Sequence, residues 1–131
     1  MRTDRIRVLI VDDSEEYVAA LTEWLAHEPE LTLAGAAFTG NQALAEVARL
    51  TPDVVLIDVF MPGMDGLEAT RRIKAAAKDI RVVVMSFDDS DALRREALAA
   101  GAEMFIPKAS VHERLGLLLA SFSNTERPGQ S

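Results

Sequence analysis

The chain has 131 residues, of which 49% are hydrophobic and 27% charged, the size and composition of a single globular domain. Its net charge of −7 argues against direct nucleic-acid binding, which needs a basic face, and the absence of cysteine excludes disulfides and thiolate metal sites. No apolar run approaches the roughly 18–20 residues of a membrane span, and no secretory signal opens the sequence. We therefore expect a cytoplasmic protein with no membrane association.

Strand-like and helix-like patterns alternate along the chain. The strand-like runs lie at 6–11, 31–38, 54–57, 82–85 and 103–107. The first, third and fourth are short apolar runs rich in β-branched residues, which suit strands covered on both faces of a parallel sheet. The second is only half-alternating and the fifth ends in proline, so both are predicted to be edge strands.

Helix starts are marked by a capping residue followed three positions later by Glu or Gln. The pairs with this spacing are Thr39 and Gln42, Asp65 and Glu68, and Ser110 and Glu113. The first helix is expected to begin after Asp13 or Ser14, where two glutamates favour its first turn. Residues 1–122 are thus predicted to form one domain, and residues 123–131 a polar tail or the beginning of a linker.

Three aspartates follow two of the predicted strands. Five strands alternating with five helices predict an α/β fold with a doubly wound parallel sheet, in which ligands bind at the carboxyl ends of the strands. Asp12 and Asp13 end the first strand and Asp58 ends the third, so their carboxylates would meet if these two strands lie side by side. Like charges this close repel one another, and Mg²⁺, which prefers oxygen ligands, would offset the repulsion. Helix capping is an alternative role for Asp13.

Two further polar residues are expected at the same edge of the sheet. Ser86 ends the fourth predicted strand, and Lys108 follows the fifth. A nucleophilic carboxylate, metal-binding acids, a hydroxyl and a lysine together suit phosphoryl transfer, in which cations neutralise the phosphoryl oxygens while the aspartate attacks phosphorus.

The sequence resembles the CheY-like receiver domains of bacterial two-component response regulators from about Ile6 to Phe122. The motifs that carry the resemblance are, in chain order, "DD" at 12–13, Asp58 followed by "MPGMDG" at 61–66, Ser86, and Lys108. The resemblance implies a flavodoxin-like (βα)5 fold with the strand order 2-1-3-4-5.

The resemblance also implies a role for each site residue. Asp58 would accept a phosphoryl group from the phosphohistidine of a histidine kinase or phosphotransfer protein. Asp13, Asp58 and the backbone carbonyl of Phe60 would bind Mg²⁺, and Asp12 would act mainly through metal-bound water. Lys108 would pair with the phosphoryl oxygens. Asp58, Lys108 and Ser86 are therefore the predicted catalytic residues.

A switch is implied by the same resemblance. Ser86 would move to donate a hydrogen bond to the phosphoryl group, and Phe105 would turn inward into the vacated space, which would reshape the surface of the fourth helix and fifth strand. The alternative is that Phe105 is a permanent core residue. In many receivers a proline follows the lysine, whereas here Ala109 follows Lys108 and Pro107 precedes it, so this loop is expected to be held differently.

Two aromatic residues of the first helix have an ordinary explanation. Tyr17 and Trp24 lie seven positions apart, on one flank of the predicted helix. We interpret both as packing at the boundary of the core rather than as partner contacts.

The leading hypothesis is a phosphorylation-controlled signalling module whose own chemistry is limited to self-catalysed phosphotransfer and dephosphorylation. It would act alone, or as the receiver of a longer transcription regulator whose DNA-binding domain lies outside this chain, and a homodimer is left open. Two alternatives remain: a Mg²⁺-dependent phosphatase or phosphotransferase that uses an aspartyl-phosphate, and a pseudo-receiver that works without phosphorylation. The first predicts a second acid two residues after Asp58, where Phe60 stands. The sequence identifies neither the kinase, the target nor the lifetime of the phosphate.

Overall fold

The computed structural model describes residues 5–124, and gives only the backbone of residues 118–121, 123 and 124. Strands and helices alternate along this part of the chain. The strands are β1 (Ile6–Val11), β2 (Leu31–Ala37), β3 (Val54–Asp58), β4 (Arg81–Ser86) and β5 (Met104–Pro107), and the α-helices are α1 (Glu15–Leu25), α2 (Gly40–Leu50), α3 (Gly66–Ala76), α4 (Asp91–Ala99) and α5 (Val111–Asn124). A three-residue 3-10 helix, Lys108–Ser110, joins β5 to α5.

The five strands form one parallel sheet in the order β2-β1-β3-β4-β5, which confirms the predicted doubly wound topology. The strands β2 and β5 lie at the edges, as their sequences predicted. Because β1 pairs directly with β3, with Val11 opposite Ile57, the residues that follow these two strands are neighbours. The topology therefore brings together chain segments that are distant in sequence.

The sheet is covered on both faces by helices that bury apolar side chains. Successive residues of a strand point to opposite faces, so Leu9 and Val11 pack with the helices α2, α3 and α4, whereas Val8 and Ile10 pack with α1 and α5. All four residues are fully buried. Each large side chain buried in this way stabilises the fold by about 1.5–3 kcal/mol relative to its exposed state.

Side chains cap the helices that follow the strand ends. Ser14 is the N-cap of α1, which settles the choice between Asp13 and Ser14, and the predicted caps Thr39 and Asp65 start α2 and α3. Each accepts a hydrogen bond from a backbone N–H three residues on, an interaction typically worth about 1 kcal/mol. The start predicted at Ser110 falls in the 3-10 helix, one residue before α5 begins at Val111.

The last helix extends past the predicted domain end, because α5 runs to Asn124. Residues 125–131 of the predicted tail lie outside the described residues, and the division at residue 122 stays a prediction. Within residues 5–124, we find no helix of the length and apolar character that crossing a membrane requires.

Candidate functional site

Three acids converge at the carboxyl ends of β1 and β3. One carboxylate oxygen from each of Asp12, Asp13 and Asp58 lies within 4.8 Å of the other two. Asp12 and Asp58 are buried, at 1% and 6% exposed, whereas Asp13 is exposed to solvent. The backbone N–H of Ser14 donates a 2.9 Å hydrogen bond to Asp12 Oδ1, so the first turn of α1 helps to fix that carboxylate.

A buried lysine joins two of these acids. Lys108 Nζ lies 2.7 Å from Asp12 Oδ2 and 3.1 Å from Asp58 Oδ1, and the lysine side chain is only 5% exposed. Lys108 begins the 3-10 helix after β5, and β5 is not a neighbour of β1 in the sheet. The long lysine side chain therefore spans the distance from the end of β5 to the acids that follow β1 and β3. One ammonium faces three carboxylates, which leaves the cluster with excess negative charge.

The pKa of Asp58 is raised from 3.8 to about 6. Burial is the largest cause, because it penalises the ionised form, and the charges of Asp12 and Asp13 add to it. Lys108 acts in the opposite direction, through its charge and its hydrogen bond, but does not cancel the effect. Three hard oxygen donors with uncompensated charge suit a divalent cation such as Mg²⁺, so the residues present fit that metal.

The loop after Asp58 is shaped by glycine. A Cβ added to Gly66 would lie 2.0 Å from the backbone oxygen of Asp58, so only glycine lets α3 begin this close to the end of β3. The Gly66 N–H donates a 2.8 Å hydrogen bond to the Val59 carbonyl, which ties the helix start to the strand end. Gly63 adopts φ +78°, a conformation that favours glycine in the same turn. The two glycines of the "MPGMDG" motif therefore allow the tight turn from β3 to α3 that holds Asp58 in place.

Ser86 and Phe105 lie on the neighbouring strands β4 and β5 and are both buried. Ser86 is the last residue of β4, and its Oγ accepts a 3.0 Å hydrogen bond from the backbone N–H of Asp88. Phe105 is 1% exposed and packs in the core, so the aromatic ring is already inside in the unmodified chain. Phe60, in contrast, is 60% exposed on the loop after β3.

Two aromatic residues at the site were not predicted. The ring centroids of Tyr17 and Phe87 lie 4.1 Å and 4.9 Å from Lys108 Nζ. The two rings also contact each other edge to face, with centroids 6.4 Å apart. Burial, with the charges of Asp12 and Asp58 as further causes, raises the pKa of Tyr17 to about 12, in agreement with its position beside the acids.

The interpretation of Tyr17 as boundary packing was therefore incomplete. Two features of the sequence could have indicated the contact with the site. Tyr17 lies in the first turn of the helix that starts beside Asp12, and an aromatic residue, Phe87, directly follows Ser86. Trp24, which shares its flank of α1, is half-buried and stacks on His112 with centroids 5.9 Å apart, which agrees with boundary packing.

The fold and this constellation define a class of protein, the receiver domains of two-component response regulators. Residues 8–119 match the response regulator receiver domain family, and the chain belongs to it. It is 40% identical over 105 residues to the response regulator GacA of Pseudomonas viridiflava, a match that covers 80% of this chain and 49% of GacA. It is 37% identical over 106 residues to the transcriptional regulatory protein LiaR of Bacillus subtilis, covering 80% of this chain and 50% of LiaR. The chain thus spans about half the length of these relatives.

Solved receiver domains have the same fold. The signal receiver domain of NarL from Mycobacterium tuberculosis superposes with a TM-score of 0.86 at 27% identity, covering 94% of this chain and 99% of that one. The response regulator domain of Thermotoga maritima CheB gives a TM-score of 0.84 at 30% identity, with the same coverage of 94% and 99%. The predicted receiver family and its flavodoxin-like fold are confirmed.

Proposed function

We propose that this receiver domain accepts a phosphoryl group on Asp58 in a Mg²⁺-dependent reaction, and that the modification alters a protein-interaction surface. The observation that carries the proposal is the convergence of Asp12, Asp13 and Asp58 with Lys108 at one end of the sheet. The cluster is built from three separate segments of the chain. Charged groups that are buried together, at a cost in free energy, are typical of functional sites.

The acids supply the donor set that Mg²⁺ prefers. Asp13 and Asp58 would bind the ion directly, with the backbone carbonyl of Phe60 as a third ligand, and Asp12 would act through metal-bound water. When bound, Mg²⁺ supplies positive charge that neutralises carboxylate and phosphoryl oxygens. The net negative charge of the cluster supports this assignment, since Lys108 is one ammonium beside three carboxylates whose oxygens lie within 4.8 Å of one another.

The proposed reaction is a phosphoryl transfer between two side chains. A carboxylate oxygen of Asp58 forms a bond to phosphorus as the P–N bond of the partner's phosphohistidine breaks, and the electron pair leaves with the imidazole. Lys108 would turn its ammonium toward the phosphoryl oxygens and stabilise their charge. The Ser86 hydroxyl, whose oxygen accepts from Asp88, still has its own proton to donate to the same group.

Phosphorylation of Asp58 would change the structure through Ser86. When Ser86 donates to the phosphoryl group, the contacts of β4 with β5 and α4 would change, and Phe105 is the buried aromatic residue of β5, opposite Val84 of β4. Because its ring is already buried, phosphorylation would stabilise or tighten an existing arrangement rather than bring an exposed ring inside. A modification can shift such an equilibrium only by its differential interaction with the two states, typically about 1–3 kcal/mol.

The partners follow from this chemistry. The phosphodonor would be a histidine kinase or phosphotransfer protein, which assigns the chain to the cytoplasm. GacA and LiaR are about twice as long as the matched region, so we propose that any DNA-binding output of this protein lies in a segment outside these 131 residues.

The decisive experiment is incubation with a small phosphodonor and Mg²⁺, followed by intact-mass measurement. We expect a single phosphoryl adduct on the wild type, none on Asp58→Asn, and none when EDTA removes the metal. Asp89→Asn is the matched control, since Asp89 is an exposed aspartate on the loop after β4, and it should be modified like the wild type. An adduct on Asp58→Asn would refute the acceptor assignment. An unmodified wild type would favour the pseudo-receiver alternative.

A further inference from the structure

Two aromatic rings contact the ammonium of Lys108, which also contacts two of the acids. Tyr17 comes from the first turn of α1, and Phe87 directly follows β4. Their centroids lie 4.1 Å and 4.9 Å from Nζ, within the range in which a cation is attracted to an aromatic face. We call Tyr17 and Phe87 the aromatic pair.

The Lys108 ammonium is held by two kinds of contact, one with the acids and one with the aromatic pair. Lys108 Nζ has three N–H groups, and hydrogen-bond distances of 2.7 Å to Asp12 and 3.1 Å to Asp58 fix its position toward the acids. The aromatic pair holds the same atom from outside. Nζ therefore contacts both carboxylates and ring faces. These contacts must offset the conformational entropy that the long lysine side chain loses when it is held in one position.

The ring of Phe87 contacts the site rather than the hydrophobic core. Its side chain is 76% exposed, so burial of the ring contributes little to the stability of the core. What the ring does contact is Tyr17, edge to face, and the lysine ammonium. Both contacts lie at the mouth of the site, where the side chain of Lys108 reaches Asp58.

We propose that Tyr17 and Phe87 are positioning residues, which hold the Lys108 ammonium at the mouth of the site so that it meets an incoming phosphoryl group. The proposal rests on the proposed acceptor role of Asp58. To stabilise the phosphoryl oxygens, the ammonium must exchange carboxylate contacts for phosphoryl contacts. Ring faces impose no directional hydrogen bond, so they keep Nζ in place while that exchange occurs.

A measurement on the unmodified protein tests the contact itself. The chain has three lysines, Lys74, Lys78 and Lys108, so ¹³C labelling of the lysine ε-carbons gives a small set of NMR signals, assigned through Lys108→Arg. We expect the Lys108 Hε signals to be displaced upfield of those of exposed Lys78 by the ring currents. Phe87→Leu should reduce this displacement and Phe87→Tyr should preserve it. A Lys108 signal that is the same in Phe87→Leu as in the wild type would overturn the proposal.

A kinetic measurement tests the function of the contact. With a small phosphodonor and Mg²⁺, we expect Phe87→Leu to lower the rate constant of phosphorylation by about three- to tenfold, the effect of losing one cation–π contact. Phe87→Tyr should restore the wild-type rate. Tyr17→Leu and Tyr17→Phe should repeat the pattern at the second ring. Circular dichroism of each variant would establish that the fold is retained.

A rival explanation is that the rings only shield the site from water. Leucine is also bulky and apolar, so shielding predicts that Phe87→Leu behaves like the wild type, while Phe87→Ala loses its phosphoryl group faster. That result would overturn the positioning role. If the wild type takes no phosphoryl group at all, the acceptor role of Asp58 fails, whereas the NMR comparison still decides whether the aromatic pair holds Lys108.

Discussion

The guanidinium of Arg94 lies 5.1 Å from the ring centroid of Phe105, and its Nη1 donates a 3.3 Å hydrogen bond to the backbone carbonyl of the same residue. One side chain of α4 thus contacts both the ring and the backbone of a residue in β5. Because Phe105 is the aromatic residue of the proposed switch, this contact favours the inward position of the ring before any modification.

Replacement of Arg94 should loosen Phe105. We expect Arg94→Ala to lower the free energy of unfolding by about 0.5–1.5 kcal/mol, the scale of one partly exposed cation–π contact and one hydrogen bond. In protein labelled with 4-fluorophenylalanine, the ¹⁹F signal of Phe105, assigned through Phe105→Leu, should shift and broaden. Arg95→Ala, at an exposed position of the same helix, is the control and should leave that signal unchanged. Equal spectra for the two alanine variants would show that Arg94 does not hold the ring.

The ionisation of Asp58 should cost stability in the metal-free protein. Its pKa in the folded state is raised from 3.8 to about 6, so the ionised form is penalised in the fold. The stabilisation by the protonated form is complete below pH 3.8 and is lost as the pH rises through about 6. At about 1.4 kcal/mol for each pH unit in that interval, Asp58→Asn should be more stable than the wild type at pH 7 by on the order of 2–3 kcal/mol.

Urea denaturation in EDTA at pH 4 and pH 7 measures this difference. We expect the advantage of Asp58→Asn to shrink toward zero at pH 4, where the wild-type carboxyl is largely protonated. Mg²⁺ at pH 7 should reduce the advantage, because binding to the native wild type stabilises it. If the advantage is the same size at both pH values, burial and neighbouring charge are not its cause.

Removal of Lys108 should be strongly destabilising in EDTA. Lys108→Met leaves Asp12 and Asp58 buried side by side without their shared cation, and breaking a buried ion pair from one side typically costs about 3–5 kcal/mol. Mg²⁺ should recover part of that loss. Lys78→Met, at an exposed lysine, is the control and should change stability little. A Lys108→Met protein as stable in EDTA as this control would show that the acids do not depend on the lysine.

Two glycines of the loop after β3 should differ in their tolerance of alanine. Gly66→Ala would place a Cβ 2.0 Å from the Asp58 backbone oxygen, so the backbone must move, at a cost of about 3 kcal/mol or more. Gly63 has φ +78° and no atom within 4 Å of an added Cβ, so Gly63→Ala should cost only the strain of its backbone, about 1–2 kcal/mol. Thermal or urea unfolding compares the two. If Gly66→Ala and Gly63→Ala lowered the free energy of unfolding by similar amounts, the crowding at Gly66 would be relieved without displacing Asp58.

The strands and the acid cluster were predictable because burial and charge leave strong local signals. The continuous apolar run of β3 ends at Asp58, and the predicted bounds 54–57 differ from the observed strand, Val54–Asp58, by one residue. A parallel sheet then dictates that residues following adjacent strands meet at one edge. The arrangement of Asp12 beside Asp58 also requires that β1 and β3 be neighbours, which the resemblance to receiver domains implied and the structure shows.

The aromatic pair and the 3-10 helix before α5 were not predictable in the same way. Helical periodicity assigned Tyr17 to the flank of Trp24, but the rotation of α1 over the sheet, which decides what the ring contacts, is set by tertiary packing. Phe87 lies in a loop, where no periodicity indicates direction. The capping spacing at Ser110 marked the start of α5 at Val111, but it did not indicate the tighter 3-10 helix at Lys108–Ser110.

The ion pair between Lys108 and Asp12 has a consequence for how the protein folds, because 96 sequence positions separate the two residues. Contacts of such long range form only after the entropy of closing the intervening chain has been overcome, so they come late on the folding pathway. During synthesis Asp58 leaves the ribosome 50 residues before Lys108 does (108 − 58 = 50). If Asp58 accepts a phosphoryl group as proposed, a nascent chain would lack the Lys108 ammonium at the site until β5 has been made and docked.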